Sequence, residues 1–175
     1  MMKRHNENEF IRLGGTRAVN DFTLEKFDNK SVVEQCSTYP GENLFIHGPA
    51  GTGKTHLGTA LIRKFHGLIY KPQEIYRECR GHETGDDEQR AIQYFINYSW
   101  LMIDDLGVDK KTEWSFSTLY EIIDGRYMWD KKGLIITSNL SLQALTERFM
   151  DDRISSRIIG MCKIIEITGR DRRIT

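Results

Sequence analysis

Gly48, Gly53, Lys54 and Thr55 satisfy GxxxxGK[ST] within the stretch Gly48-Pro49-Ala50-Gly51-Thr52-Gly53-Lys54-Thr55-His56. The chemistry such a stretch serves is anion binding. Gly48, Gly51 and Gly53 let the loop curl without Cβ clashes, so its backbone N–H groups converge. A helix opening after the loop adds its unpaired N–H groups and the positive end of its dipole. Lys54 then reaches the β- and γ-phosphates of a nucleotide, and the Thr55 hydroxyl ligates Mg²⁺. Asp104 and Asp105 follow directly on an apolar run at 100–103. With a phosphate loop in the same chain, Asp104 is expected to hold Mg²⁺ through its water shell. Asp105 is expected to orient or deprotonate an attacking water. Asn139 has two readings, a polar sensor that hydrogen-bonds that water or a turn residue ahead of Ser141.

Arg153 and Arg157 are four apart and share a helix face. Either they are surface ion-pair partners, with Asp151 or Asp152 close by, or they present a cation to the γ-phosphate of a neighbouring subunit. Tyr70, Lys71, Tyr76, Arg77 and Arg80 interleave aromatic and basic groups. Either aromatics stack on unpaired bases while the cations follow the phosphates, a single-strand contact, or the tyrosines are buried beside a solvated charged face.

For these residues to meet, strands and helices must alternate. Strands are expected at 44–46, 68–70, 100–103, 134–137 and 164–167. Helices are expected at 31–36, 55–66, 73–80 behind Pro72, and 91–96, with a polar loop at 81–88. Phe116, Leu119, Tyr120, Ile123 and Tyr127 mark a further amphipathic helix. Ser141 caps one bearing Leu142, Leu145 and Phe149, and Asp151 or Asp152 caps the last. The alternation implies a parallel sheet with right-handed crossovers and a ligand at the carboxyl ends of its strands. The phosphate loop, Asp104, Asp105 and Asn139 all fall at such ends. Phe22, Leu24 and Phe27 either wall an adenine pocket or pack the edge of the core.

Lys plus Arg and Asp plus Glu each count 25 in 175 residues. Overall charge therefore does not carry tight nucleic-acid binding, which needs a local basic strip or several subunits acting together. Cys36, Cys79 and Cys162 show no CxxC spacing and read as reduced structural thiols. No apolar run approaches bilayer length and the polar start lacks a secretory core, so a cytoplasmic protein without a membrane partner is expected. The length suits one main domain at 22–175 behind a flexible amino-terminal arm at 1–21.

Taken in order, HGPAGTGKTHL, YKPQEIY, WLMIDDLG, ITSNL, DDRISSRI and GRDRR resemble the AAA+ ATPases of the DnaC/DnaI-type helicase loaders and the related IstB-type transposition helpers. The resemblance covers residue 22 to the end. It implies an α/β P-loop NTPase of the AAA+, ASCE kind, a three-layer αβα core with a five-stranded parallel sheet and no helical lid domain. It assigns phosphate and Mg²⁺ duty to Lys54 and Thr55, the second acidic motif to Asp104 and Asp105, and sensor 1 to Asn139. Arg157 matches the arginine finger better than Arg153, and Arg172, ahead of Arg173, matches the sensor 2 arginine. Residues 71–80, with Lys71, Tyr76, Arg77 and Arg80, fall where this clade carries an extra helix for single-stranded DNA. The implied function is Mg-ATP binding and slow hydrolysis, stimulated by assembly or DNA, in a helicase loader active in DNA replication. The alternatives are a transposition helper or an ATP-switched adaptor with little turnover. The implied partners are single-stranded or duplex DNA, a replicative helicase or transposase, and further copies of the chain. Asp105 stands where many AAA+ proteins carry Glu, a feature similar to the IstB-like branch. Residues 1–43 are too few for the loaders' separate helicase-holding domain.

Overall fold

Short apolar runs of strand length alternate along this chain with runs at helical period, and each becomes one element. The computed structural model describes residues 22–80, 85–169 and 171. In chain order they form α1 (Lys30–Gln35), β1 (Asn43–His47), α2 (Lys54–Arg63), β2 (Leu68–Tyr70), α3 (Pro72–Arg80), α4 (Gly85–Asn97), β3 (Leu101–Ile103), α5 (Glu113–Met128), β4 (Leu134–Ser138), α6 (Leu142–Phe149), α7 (Arg153–Met161) and β5 (Cys162–Glu166). The strands pair in parallel in the order β2-β3-β4-β1-β5.

Successive strand side chains point to opposite faces, so each strand supplies both. Leu44, Ile46, Met102 and Ile135 pack beneath α1 and α2 with Val32, Leu57, Leu61 and Ile62. Phe45, Leu101, Ile103, Leu134 and Ile136 pack on the other side, beneath α3 to α7. The result is the expected three-layer αβα core. Among the described residues no helix follows β5, and none is long and apolar enough to cross a membrane. The expected arm at 1–21 lies outside the described residues.

Helix starts follow local chemistry. The Ser141 hydroxyl accepts the Ala144 amide at 3.2 Å, and Thr112 and Ser115 form a reciprocal capping box at α5. At α7, Asp151 does the capping: its Oδ1 accepts the Arg153 amide at 3.0 Å, whereas the Asp152 side chain makes no cap bond.

Two expectations need correction. Helix α4 begins at Gly85, so 85–88 of the loop expected over 81–88 are helical. Asp86, Asp87 and Glu88 lie in its first turn, where carboxylates favour the helix dipole. Tyr127 is not part of the buried face of α5 but is 38% exposed, while Ile122 and Arg126 go inside. Both α4 and α7 pack against α5, which buries a wider arc than a single stripe.

Arg126 is fully buried. Its Nη1 donates to the carbonyls of Phe95 at 3.0 Å, Ile96 at 3.2 Å and Tyr98 at 2.7 Å, and its Nη2 to Lys132 O at 3.1 Å. The cation thus closes the carbonyl end of α4, where such groups lack intrahelical partners. The three cysteines are free and buried, and burial pushes the Cys36 thiol up to about 11 and those of Cys79 and Cys162 to about 12. They are inert structural thiols, as expected.

Candidate nucleotide-binding site

Strand β1 delivers the chain into the loop at Gly48, whose φ is +146° and where an added Cβ would lie 2.0 Å from the Ile167 carbonyl oxygen. Gly53, at φ +96°, is the left-handed N-cap of α2. A side chain at either position would strain the loop. Lys54 opens α2 and is only 5% exposed, and its Nζ donates to Gly48 O at 2.8 Å and Pro49 O at 2.7 Å. The Thr52 hydroxyl donates to the same Pro49 carbonyl at 2.9 Å. Lysine and loop therefore form one braced unit at the helix N-terminus. The Asp171 carboxylate lies against Gly51, which brings the end of the described chain to this loop. Arg172, expected as a sensor, lies outside the described residues.

Asp104, one residue beyond β3, is 3% exposed. Its Oδ1 accepts from the Thr137 hydroxyl at 2.6 Å and the Thr55 hydroxyl at 2.9 Å. Burial raises the carboxyl above the usual carboxylate range; the hydroxyl bond from Thr137 pulls it down, the neighbouring Asp105 charge pushes it up, and Thr55 pulls it down again. Asp105 sits at φ +61°, donates its amide to Thr137 Oγ1 at 3.0 Å, and has Lys71 Nζ 3.7 Å from its Oδ2. That pair is largely exposed and contributes little to stability.

A cavity of about 340 Å³ is lined by Phe22, Ala50, Gly51, Gly53, Lys54, Thr55, His56, Asp105 and Asn139. Its volume suits a small-molecule ligand. It brings together the loop, the second acid and Asn139, residues far apart in the chain. Phe22 stacks on His56 at 4.5 Å between ring centroids, and His56 Nε2 donates to Thr23 O at 2.9 Å. Of the three candidate adenine-wall residues only Phe22 reaches this cavity; Phe27 is core and Leu24 packs against it.

Thr55 and Asp104 present a hydroxyl and a carboxylate, hard oxygen donors of the kind Mg²⁺ takes alongside phosphate oxygens. Among the described residues no group of three or more His, Cys, Asp or Glu is placed to hold a metal. A cation here would need phosphate as part of its shell.

Arg153 pairs with Asp151 at 2.8 Å, as the ion-pair reading expects, but Arg157 pairs with Asp124 on α5 at 2.5 Å and lies over Tyr127. Arg157 does not line the cavity. Tyr70 leaves the aromatic strip: it is buried edge-on to Phe95, and cannot stack on a base. Gln73, Tyr76, Arg77 and Arg80 do line one open groove on α3, where Arg80 lies 4.2 Å above the Trp114 ring. Lys71 is not part of that groove. Trp114 and Thr137 were not singled out by sequence; a polar β-branched residue closing an otherwise apolar central strand was the available signal for Thr137.

A parallel αβα sandwich, with a first strand feeding a glycine loop, a buried lysine and a threonine bonded to the acid of β3, defines a P-loop nucleotide-binding domain. A family model for IstB-like ATP binding proteins matches residues 12–175, and the chain belongs to that family. A candidate ATP-binding protein of insertion sequence IS232 from Bacillus thuringiensis subsp. berliner is 23% identical over 142 residues, 76% of this chain and 56% of the relative. The chain spans about half the length of the curated relatives it matches. The crystal structure of DnaI is similar with a TM-score of 0.73 at 23% identity, covering 89% of this chain and 96% of that one. That of the DnaC helicase loader gives 0.73 at 23% identity, covering 87% and 100%. These likenesses show that the chain shares the fold of those two proteins.

Proposed function

We propose that this domain binds and hydrolyses ATP in the service of a DNA transaction, most closely one of the transposition-helper kind. The observation that carries the reading is the convergence of Lys54, Thr55, Asp105 and Asn139 on one cavity, with Asp104 bonded to Thr55 behind it. The loop amides and Lys54 hold the β- and γ-phosphates, and Thr55 and Asp104 hold Mg²⁺, which when bound offsets phosphate charge. Asp105 orients a water, with Asn139 as its second hydrogen-bond partner. Attack of that water on the γ-phosphorus breaks the bond to the β,γ-bridging oxygen, releasing ADP and phosphate. Family membership favours a transposase as the partner. The helicase-loader reading remains the second, supported by the aromatic and basic groove on α3, which suits single strands.

The test is ATP turnover with no DNA, with single-stranded DNA and with duplex. Turnover in the parent and none in Asp105→Asn is expected, with duplex the better stimulant. Parental turnover as low as that of the variant, with neither above background, would reduce the domain to an ATP-switched adaptor. Stimulation by single strands alone would favour the loader reading.

Arg157 enters as a residue of a second copy, presented to a neighbour's γ-phosphate once it leaves Asp124. Arg157→Ala should leave ATP affinity of the monomer within about threefold and lower turnover of the assembly at least about tenfold, the direction expected of a lost transition-state cation. Light scattering with and without ATP and DNA reports whether the assembly forms at all. Loss of monomer binding would return Arg157 to its own subunit.

A further inference from the structure

Thr137 is fully buried near the carboxyl end of β4. Ile135, two residues earlier, packs against the α2 side of the sheet, and strand alternation turns Thr137 to that same side. There one hydroxyl serves both acids, donating to Asp104 Oδ1 at 2.6 Å and accepting the Asp105 amide at 3.0 Å. The Leu106 amide donates to the Thr137 carbonyl at 2.8 Å, and the Ser138 hydroxyl donates to Leu106 O at 2.6 Å. Strand β4 thus grips three consecutive residues beyond the end of β3. The middle one, Asp105, has a left-handed φ of +61°, uncommon for a residue other than glycine though more accessible to Asp than to most.

We propose that Thr137 is the positioning residue for the acid pair, its hydroxyl setting the Asp104 carboxylate beside Thr55 and the Asp105 carboxylate at the cavity. The proposal rests on the ATP reading of the cavity. Thr137 is fully buried and does not line the cavity. It acts through the acids, as outer-shell partners of ligating carboxylates do. Without the hydroxyl, Asp104 Oδ1 keeps only the Thr55 bond, the group that Mg²⁺ itself engages. The turn at Asp105 also loses a fixed amide.

The test compares Thr137→Val, which keeps the shape without the hydroxyl, with Thr137→Ser, which keeps the hydroxyl. Mg²⁺ is titrated against binding of a fluorescent ADP analogue, and turnover is measured separately. The valine variant should need about tenfold more Mg²⁺ for half-maximal enhancement of binding and lose about 10- to 100-fold in turnover. Its metal-free ADP affinity should stay within about twofold, and serine should restore both values. If valine merely lowers the melting temperature and leaves the Mg²⁺ midpoint in place, Thr137 is structural and the proposal fails. Should the valine variant not unfold cooperatively, Thr137→Ala removes the same hydroxyl without crowding and is read the same way. A shifted midpoint in a protein that turns over no ATP would sustain the positioning role and sink the hydrolysis reading. Normal parental turnover with unshifted variants would sink the positioning role alone, and a parent whose ADP binding ignores Mg²⁺ would sink both.

Discussion

Lys54→Ala should weaken ATP binding by about 100-fold and bring turnover below detection. The ammonium group is almost wholly buried and bonded to two carbonyls of the loop it closes, so it waits as a point charge inside the anion site. Hydrogen bonds to charged groups contribute about 1.5–3 kcal/mol each, and about 1.4 kcal/mol is tenfold in affinity. One such bond to each of two phosphates accounts for the expected loss. Turnover falls further because charge on the transferring group also loses its nearest cation. Arginine should not rescue: its planar fork does not fit where a compact ammonium sits between Gly48 O and Pro49 O. Titration calorimetry with ATP, beside a urea unfolding curve on the same variant, separates lost binding from lost folding. Parental ATP affinity in a folded Lys54→Ala protein would remove the loop from the phosphate site.

The second large effect is on stability. Arg126→Met should destabilise the domain by roughly 3–5 kcal/mol, a large share of the ~5–15 kcal/mol typical of natural domains. Methionine fills similar space, so little of the loss is cavity. What is lost is the set of donors to Phe95, Ile96, Tyr98 and Lys132 carbonyls, and each buried carbonyl left unpaired costs about 1–3 kcal/mol. Arg126→Lys should recover only part, because one ammonium cannot reach all four carbonyls. Burial lowers the Arg126 pKa to about 10. Below that value the group is charged in both folded and unfolded chains, so its titration adds no pH dependence under neutral conditions. The depressed value means that the burial penalty is present below pH 10 and relieved only above it. The midpoint in urea at pH 7 gives the measurement. A shift equivalent to less than about 1 kcal/mol would mean that water or a local rearrangement satisfies the four carbonyls.

The phosphate loop was legible because its chemistry is local. Nine consecutive residues, Gly48 to His56, carry the glycines, the lysine and the hydroxyl in one turn, and no distant partner is needed to recognise them. The strands were legible for a related reason: central parallel strands are covered on both faces and read as unbroken apolar runs, as in Leu101–Ile103 and at 134–136. Tyr70 stayed open between two readings because an aromatic beside lysine looks alike in a stacking strip and in a core, and its burial settles it as core. Arg126 was invisible for the opposite reason. A charged residue within an amphipathic helix reads as solvated, and only the meeting of α4 and α5 supplies the carbonyls that accept it.

From sequence alone came the alternation of strand and helix, the anion loop and the two acids, properties of residues adjacent in the chain or of a repeating period; the family resemblance rested on the ordered set of motifs along the chain. Tertiary structure alone decided which partner each charge takes. Arg157 goes to Asp124 and not to Asp151 or Asp152, Lys71 goes to Asp105, and Thr137 goes to both acids. The order β2-β3-β4-β1-β5 puts β4 between the loop strand and the acid strand. That placement brings residues 33 apart in the chain within one hydrogen bond. Periodicity reports which face a side chain takes; pairing between strands determines what it meets there.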